Sequence, residues 1–344
     1  MNTEQKKLFR QIARCSIADE ILDNLLNGEP NTHPCTEICE YQQEEFGLIG
    51  KKFGPDFEVE FSKETFHMPE PWNGDLDNAE ILFVSSNPSF SIHETTPKLA
   101  REGKSARGRK GNWEVLPKFK SDEWPLDRAE NFFENRFIDE ETRSIREEYD
   151  NETWKRILKF AGYLLDDETR SIEKGKKLNN AQKENFASRI ALTEVVHCKS
   201  ENEKGVPQAR VTCYDKHTRA VIELFLKSSP KKPSPKKTKK VVVMGVPAQV
   251  AFAQGILTES LKAGDPEISA DKLKNKLEEL EDKLRELRKE PKELEKELKR
   301  YAQDGFGTLA KNAHFIFIPH PVAQGYSYAE FQRRIDRQNE PLRQ

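Results

Sequence analysis

The chain has 344 residues, of which 35% are hydrophobic and 34% are charged, with a net charge of −2. This length suits one large domain with insertions or two modest domains, and the near-neutral balance excludes a strong overall attraction for nucleic acid. No apolar run is long enough to span a bilayer, and residues 1–19 contain no apolar signal core, so we expect a soluble, cytoplasmic protein. In that compartment the five cysteines are not expected to form a disulfide framework.

Four short runs of almost continuously apolar residues predict β-strands that are buried on both faces. They lie at residues 81–86, 190–196, 241–245 and 314–318. Helical stretches separate them, notably around residues 152–165 and 214–226. Strands that alternate with helices predict a parallel sheet covered on both sides, so the expected fold class is α/β.

Three of the predicted strands lead directly into polar segments. These segments read SSNPS at residues 85–89, HCKSENEKGVP at 197–207 and PHPVAQGY at 319–326. In parallel α/β sheets, ligands bind beyond the carboxyl ends of the strands, so the three segments are expected to converge at one ligand-binding edge. This convergence is the main functional signal in the chain.

Two segments look like additions to the sheet. Residues 227–240 form a Lys- and Pro-rich connector, which like the basic residues 101–110 either attracts polyanions or forms a solvated loop. Further on, leucines recur at alternating four- and three-residue spacing, which predicts a coiled-coil seam, and Pro291 interrupts it. We therefore predict a helical hairpin over residues 266–303 that packs within the chain, against a partner or in self-association. The seam consists of Leu273, Leu277, Leu280, Leu284, Leu287, Leu294 and Leu298.

Four of the cysteines occur as two pairs. Cys35 and Cys39 lie near the N-terminus, whereas Cys198 and Cys213 follow the second predicted strand. Thiolates arranged two plus two suit a tetrahedral zinc site or an iron–sulfur cluster. The alternative is four unrelated buried cysteines, and the spacing of Cys35 and Cys39 is not that of the usual zinc ribbon.

Taken in chain order, these motifs resemble those of the uracil-DNA glycosylase superfamily, and especially of its iron–sulfur branch. Residues 81–88, a strand that ends in Asn-Pro, resemble the first motif, and His320-Pro321 resembles the second. The strand TEVVHC at 193–198 resembles the one that ends in a cluster cysteine, and VVVMGVPA at 241–248 resembles the third strand with its glycine. The resemblance covers most of the chain, apart from residues 256–305 and much of 95–150.

The resemblance implies a fold and a cofactor. The expected fold is a three-layer α/β/α sandwich with a four-stranded parallel sheet in the order 2-1-3-4, in a single domain over residues 1–344 that carries the inserted hairpin. The expected cofactor is a structural 4Fe–4S cluster, with zinc as the alternative. Its ligands would be Cys35, Cys39, Cys198 and Cys213.

The resemblance also implies catalytic roles for two residues. Asn87 is at the position that orients a water beneath the sugar, and His320 is at the position that donates a hydrogen bond to O2 of the leaving base. An asparagine amide aligns a water but cannot remove its proton as a carboxylate can, which predicts slow chemistry. The alternatives are an Asx-Pro turn for Asn87 and a residue held extended before Pro321 for His320.

Flanking residues are candidates for substrate binding. Hydroxyls and backbone N–H groups of the Asn87 loop suit phosphates, the loop after His320 suits a wedge that probes the base stack, and an aromatic ring suits stacking on a flipped base. An exposed loop and core packing are the respective alternatives for the wedge and the ring. The phosphate candidates include Ser86 and Ser89, and Pro88 is a further substrate-binding candidate in the same loop. The wedge candidates are Gln324 and Tyr326, and the stacking candidates are Phe90 or the pair Phe132-Phe133.

Glu194 departs from the pattern of the iron–sulfur branch, which usually has asparagine four residues before the matching cysteine. Asparagine offers uracil both a donor and an acceptor, whereas an ionised glutamate only accepts. Cytosine presents an amino group from which a carboxylate can accept, so we predict a cytosine derivative, including a bulky modified one, as the preferred base. A protonated Glu194 would still accommodate uracil, and a glutamate on a strand can instead form a salt bridge.

These expectations together predict a monofunctional DNA glycosylase that binds DNA and acts either in base excision repair or in defence against modified foreign DNA. One alternative is a non-catalytic module that binds DNA, nucleotides or a protein partner, which the missing carboxylate at position 87 and the hairpin favour. Another is a zinc-stabilised nucleotide hydrolase.

Overall fold

Four short apolar strands build one all-parallel sheet in the order β2-β1-β3-β4. This confirms the predicted α/β class and the predicted strand order. The strands are β1 (Ile81–Ser85), β2 (Ile190–Glu194), β3 (Lys239–Met244) and β4 (Ala313–Ile318).

The computed structural model describes residues 1–103, 113–138, 152–165, 179–228, 238–321 and 327–339. Their contacts define two compact units, each built from three separate chain segments. The first unit comprises Met1–Trp72, Asn87–Glu134 and Val196–Arg210; the second comprises Asn73–Ser86, Asn135–Val195 and Val211–Gln344. Within the described ranges, no helix is both long and apolar enough to cross a membrane.

Six helices lie in the first unit and seven in the second, as far as the described residues extend, and α9 (Val206–Cys213) contains residues of both. The helices of the first unit are α1 (Thr3–Ala13), α2 (Ser16–Asn27), α3 (Thr36–Gly47), α4 (Ile49–Phe53), α5 (Pro97–Glu102) and α6 (Leu126–Glu134). Those of the second are α7 (Glu152–Leu165), α8 (Asn180–Ala187), α10 (Arg219–Lys227), α11 (Val246–Gly264), α12 (Ala270–Leu287), α13 (Pro291–Lys311) and α14 (Tyr328–Asn339).

Both faces of the sheet are covered by helices of the second unit. Alternate residues of β4 show this directly, because successive side chains of a strand point to opposite faces. Ile316 and Ile318 join an apolar cluster with residues of α7, α8 and α14. Phe315 and Phe317 instead contact Phe252 of α11, with ring centroids 5.9 and 5.6 Å apart. Burial on both faces explains why the strands are continuously apolar.

Strand β2 ends at Glu194, two residues before the end of the predicted strand. Its partner β1 ends at Ser85, which is the register partner of Glu194. One further backbone hydrogen bond joins Val195 N–H to Ser85 O at 2.9 Å, after which β1 offers no residue for pairing. The apolar pattern continues through Val196 because both valines are buried, although neither is in the strand.

The leucine-rich segment forms two helices, α12 and α13, with α13 starting at Pro291. Leu280, Leu284 and Leu298 are buried within the chain. The amide Nε2 of Gln254 in α11 donates to Leu277 O of α12 at 3.1 Å, so the seam packs against this neighbouring helix. Of the arrangements open from the sequence, these contacts support packing within the chain.

In the first unit, α1 packs against α6. Phe9 of α1 contacts Phe133 and Trp72, with ring centroids 5.8 and 5.7 Å apart. At the edge of this contact, Arg10 Nε donates to Glu130 Oε1 at 2.8 Å. Aromatic packing with a charged rim therefore forms part of the core of this unit.

Candidate active site

In the second unit, Glu194, Gly245 and the His320 segment lie at the carboxyl ends of the strands. Glu194 ends β2 beside Ser85 of β1, and Gly245 follows β3 beside the end of β4. The N–H of Gly245 donates to Ile318 O at 2.9 Å. Because neighbouring strands are about 4.8 Å apart, the outer strands β2 and β4 are separated by roughly 14 Å. Glu194 and His320 therefore belong to opposite sides of this edge.

The backbone around His320 is held from three directions. Gln249 Nε2 donates to Ile318 O at 2.8 Å, and Arg156 Nη1 donates to Pro321 O at 2.9 Å. Gly245 has a φ of +83° and lies so close that a Cβ there would be 3.5 Å from the Cβ of His320. His320 itself is half-buried, and its imidazole extends from a fixed backbone position at this edge.

Glu194 is 5% exposed, and its backbone is tied to the segment after Cys213. The hydroxyl of Thr218 donates to Glu194 O at 3.1 Å and to Val195 O at 3.0 Å. Thr218 ends a π-helical turn, Tyr214–Thr218, that starts directly after Cys213. Such turns are rare and are often found at functional sites. The turn thus fixes the end of the strand that carries Glu194.

In the first unit, the side-chain amide of Asn87 is bound to the segment that follows β2. Its Nδ2 lies 2.8 Å from Ser200 Oγ, 3.3 Å from Ser200 O and 3.2 Å from Pro88 O. All three contacts use the nitrogen, and among the described residues the amide oxygen accepts no hydrogen bond. Asn87 is half-buried, so this oxygen can accept a hydrogen bond from a water.

A buried lysine, Lys199, also binds the Asn87 loop. It is 4% exposed, and its Nζ lies 2.7 Å from Glu70 Oε1 and donates to Ser89 O at 3.0 Å. Ser200 N–H also donates to Pro88 O at 3.3 Å. Removing one partner of a buried charge pair destabilises a protein strongly. Lys199 is therefore held by Glu70, and through its bond to Ser89 O it holds the Asn87 loop.

A buried histidine lies in the surroundings of Lys199. His67 is fully buried, and burial lowers its pKa well below the usual 6.5, with the ammonium groups of Lys118 and Lys199 adding to the effect. Its ring centroid is 5.1 Å from that of Phe90. Desolvation and two nearby cations therefore keep the His67 imidazole neutral.

The cysteine-bearing segments of the first unit lie in contact. Cys35 precedes α3 and Cys39 lies within it. Gln42, on the same helix, donates through Nε2 to Lys199 O at 3.1 Å, next to Cys198. Burial raises the pKa of the Cys39 thiol well above its ordinary value, and the nearby thiols of Cys35 and Cys15 raise it further.

Cys213 is the last residue of α9 and belongs to the second unit. No group of three or more His, Cys, Asp or Glu side chains in the described part of the chain has a metal-binding arrangement. The chemistry of the donor set nevertheless fits an iron–sulfur cluster, because cysteine thiols that lose their protons to the metal are its usual ligands. Cys39, Cys198 and Cys213 are buried, and Cys35 is partly buried. Cys15 shares an apolar cluster with Cys35 and Cys39, and the sequence did not predict that this fifth cysteine lies near them.

The remaining candidates divide into exposed, buried and undescribed residues. Ser89 is exposed, whereas Ser86 and Pro88 are buried. Phe90 is 6% exposed and packs against Tyr41, with ring centroids 5.7 Å apart, and Phe133 is in the core beside Phe9. For these two rings the structure therefore shows the core packing that was the alternative to stacking on a base. Gln324 and Tyr326 lie outside the described residues.

Sequence reasoning missed the residues that hold the Asn87 loop. Lys199 and Ser200 lie in a polar segment directly after Cys198, and that position was an available signal. Glu70 and His67 follow no strand and match no motif, so their part in the site follows from tertiary contacts alone.

No protein-family model matches the chain, and neither a curated protein nor a solved structure shows significant similarity to it. The resemblance to uracil-DNA glycosylases therefore stays a prediction from the sequence motifs.

Proposed function

We propose that this protein is a monofunctional DNA glycosylase, which hydrolyses the N-glycosidic bond of a flipped-out pyrimidine nucleotide and leaves an abasic site. The observation that carries the proposal is the carboxyl edge of the parallel sheet, where strands in the order 2-1-3-4 present Glu194 at one side and the His320 segment at the other. That strand order is the one that the resemblance implied. The biological setting is repair of DNA or defence against modified foreign DNA.

Two residues have separate roles in the proposed reaction. The reaction passes through a sugar with oxocarbenium character and leaves a pyrimidine anion. Asn87 aligns the attacking water through its amide oxygen, since its nitrogen is already bonded within the loop. His320 donates a hydrogen bond to O2 of the departing base, which stabilises the negative charge that develops there.

Glu194 is proposed to choose the base. Its carboxylate accepts hydrogen bonds, so it favours the N4 amino group of cytosine over the O4 carbonyl of uracil. The bonds from Thr218 to the backbone of residues 194 and 195 support a fixed recognition residue. The proposed substrate is therefore a modified cytosine in DNA, with uracil as the alternative.

A 4Fe–4S cluster is proposed as the structural cofactor, with zinc as the alternative metal. Cys35, Cys39, Cys198 and Cys213 would hold it. The contact of α3 with the segment after Cys198 supports a shared site for the first three. The cluster would hold chain segments together and takes no part in cleaving the base.

A base-release screen tests the proposal. Duplex and single-stranded oligonucleotides that contain uracil or modified cytosines are incubated with the protein. Mass spectrometry then detects the free base, and alkali cleaves the DNA at the abasic product. Release that is strongly slowed in Asn87→Ala and in His320→Ala supports the proposal.

Matched controls are Asn27→Ala and His314→Ala, because both residues are exposed and lie outside the proposed site. His314 is especially useful, since it lies at the amino end of the same strand that precedes His320. If no substrate releases a base, the proposal is wrong, and DNA binding without release would favour the non-catalytic module.

A further inference from the structure

We infer that Ser200 is a positioning residue, which fixes the side-chain amide of Asn87 so that its oxygen faces the substrate water. The inference rests on the proposed role of Asn87, and it concerns a residue to which neither the motifs nor the resemblance assigned a role. Its basis is the 2.8 Å contact between Asn87 Nδ2 and Ser200 Oγ.

The orientation of the amide follows from the chemistry of its neighbours. Two of the three acceptors around Nδ2 are backbone carbonyl oxygens, Pro88 O at 3.2 Å and Ser200 O at 3.3 Å. A carbonyl oxygen only accepts, so the amide NH2 must face it. Turning the amide over would place its own oxygen against two other oxygens. The carbonyls select the orientation, and the Ser200 hydroxyl supplies the shortest of the three contacts.

Ser200 is itself held in place. It is 1% exposed, and its N–H donates to Pro88 O at 3.3 Å, across a bridge that pairs Ser89 with Ser200. The preceding residue, Lys199, holds Ser89 O from the opposite side and pairs with Glu70. The backbone that carries the hydroxyl is therefore held in place, and a buried acceptor on a fixed backbone is what a positioning role requires.

The functional consequence is that only one rotamer of Asn87 presents an acceptor to water. Without the Ser200 hydroxyl the amide keeps two longer, less favourable contacts, and it samples orientations in which Oδ1 does not meet the water. Ser200 is only 1% exposed and so is closed to a substrate at the surface, which leaves it to act through Asn87. Loss of the hydroxyl should then lower the chemical rate and leave DNA affinity unchanged.

Single-turnover kinetics with a double-mutant cycle test this inference. The variants are Ser200→Ala, Asn87→Ala and the double variant, with Ser200→Thr as the variant that keeps a hydroxyl and Ser121→Ala as a serine control in the same unit. Ser200→Ala is expected to lower the excision rate about tenfold, with DNA Kd and Tm close to those of the wild type. Ser200→Thr is expected to restore most of the rate.

The cycle separates positioning from general damage. If Ser200 acts through Asn87, Ser200→Ala has no further effect on the rate in the Asn87→Ala background. An equal loss in both backgrounds, or an unchanged rate in Ser200→Ala, would overturn the inference.

A second measurement does not depend on catalysis. In protein labelled with 15N-asparagine, the side-chain NH2 of Asn87 is assigned by its disappearance in Asn87→Ala. Slow hydrogen exchange of this group in the wild type and fast exchange in Ser200→Ala support the inference, whereas equal exchange rates overturn it. If the wild type releases no base from any substrate, the proposed function fails while this measurement still decides whether Ser200 orients the amide.

Discussion

The side-chain nitrogen of Asn87 lies 2.8 Å from the hydroxyl oxygen of Ser200, so a residue at the end of the first strand is bound to one beyond the end of the second. Both backbone carbonyls near this contact also face the nitrogen. The environment of position 87 is therefore suited to an amide, and a carboxylate there would meet oxygen atoms.

This environment predicts the outcome of Asn87→Asp. An aspartate is the stronger water-activating group in isolation, but here its carboxylate would face Pro88 O and Ser200 O and would be displaced or protonated. We expect Asn87→Asp to be no faster than the wild type in single-turnover excision near neutral pH. A gain of tenfold or more would show that the carbonyls do not control this side chain.

The Lys199–Glu70 pair predicts a loss of stability when one charge is removed. Lys199→Met leaves the Glu70 carboxylate buried without its ammonium partner, and it should lower the free energy of unfolding by about 3–5 kcal/mol. Urea denaturation at neutral pH measures the change. The double variant Lys199→Met/Glu70→Gln should be more stable than Lys199→Met, because burying a neutral amide costs less free energy than burying an unpaired carboxylate. If the double variant is the less stable of the two, the pair is not the source of the loss.

His67 predicts a pH dependence of stability. Its folded-state pKa lies well below 6.5, so the unfolded chain binds a proton at His67 as the pH falls through 6.5 while the folded protein does not. Stability attributable to His67 is therefore present at neutral pH and lost on acidification, by at most about 2 kcal/mol between pH 7 and pH 5. We expect His67→Gln to lose less stability than the wild type over this range, as measured by urea denaturation. Parallel curves for the two proteins would contradict it.

The proposed cluster predicts that replacing two cysteines of the same apolar cluster has different effects on the iron content. Cys39 is a proposed ligand and Cys15, in the same apolar cluster, is not. After anaerobic purification, Cys39→Ser and Cys198→Ala should lose iron, labile sulfide and the brown colour, whereas Cys15→Ser should keep all three. Zinc without iron or sulfide in the wild type would favour the zinc alternative, and loss of iron in Cys15→Ser would show that the ligand set is wrong.

The role of Glu194 predicts a change of substrate. Replacing the carboxylate by an amide provides a donor for uracil O4, so Glu194→Asn should raise the excision rate of uracil relative to that of a modified cytosine by about tenfold or more. Paired oligonucleotides that differ in one base give the ratio, and Glu201→Gln, in the segment after β2, serves as the control. An unchanged ratio would remove Glu194 from base recognition.

The sequence determined the elements of the sheet. The four strands follow from local apolar runs, and the start of α13 follows from Pro291, because burial pattern and proline stereochemistry act over a few residues. The strand order came from the resemblance and is confirmed. The polar residues after the strands were predicted as a group for the same reason: each follows its strand in sequence.

Only the tertiary structure decided what holds those residues. The contacts of Asn87 with Ser200 and of Lys199 with Glu70 join segments far apart in sequence. A buried polar group must find a partner, but its composition does not say which of many distant groups will be brought within 3 Å. Phe90 shows that local sequence also does not decide burial. Its position beside the Asn87 loop made it a candidate for contact with the substrate, whereas in the structure it packs against Tyr41 and His67. Local chemistry therefore determined which groups can act, and the meeting of distant loops determined how one of them, the amide of Asn87, is oriented.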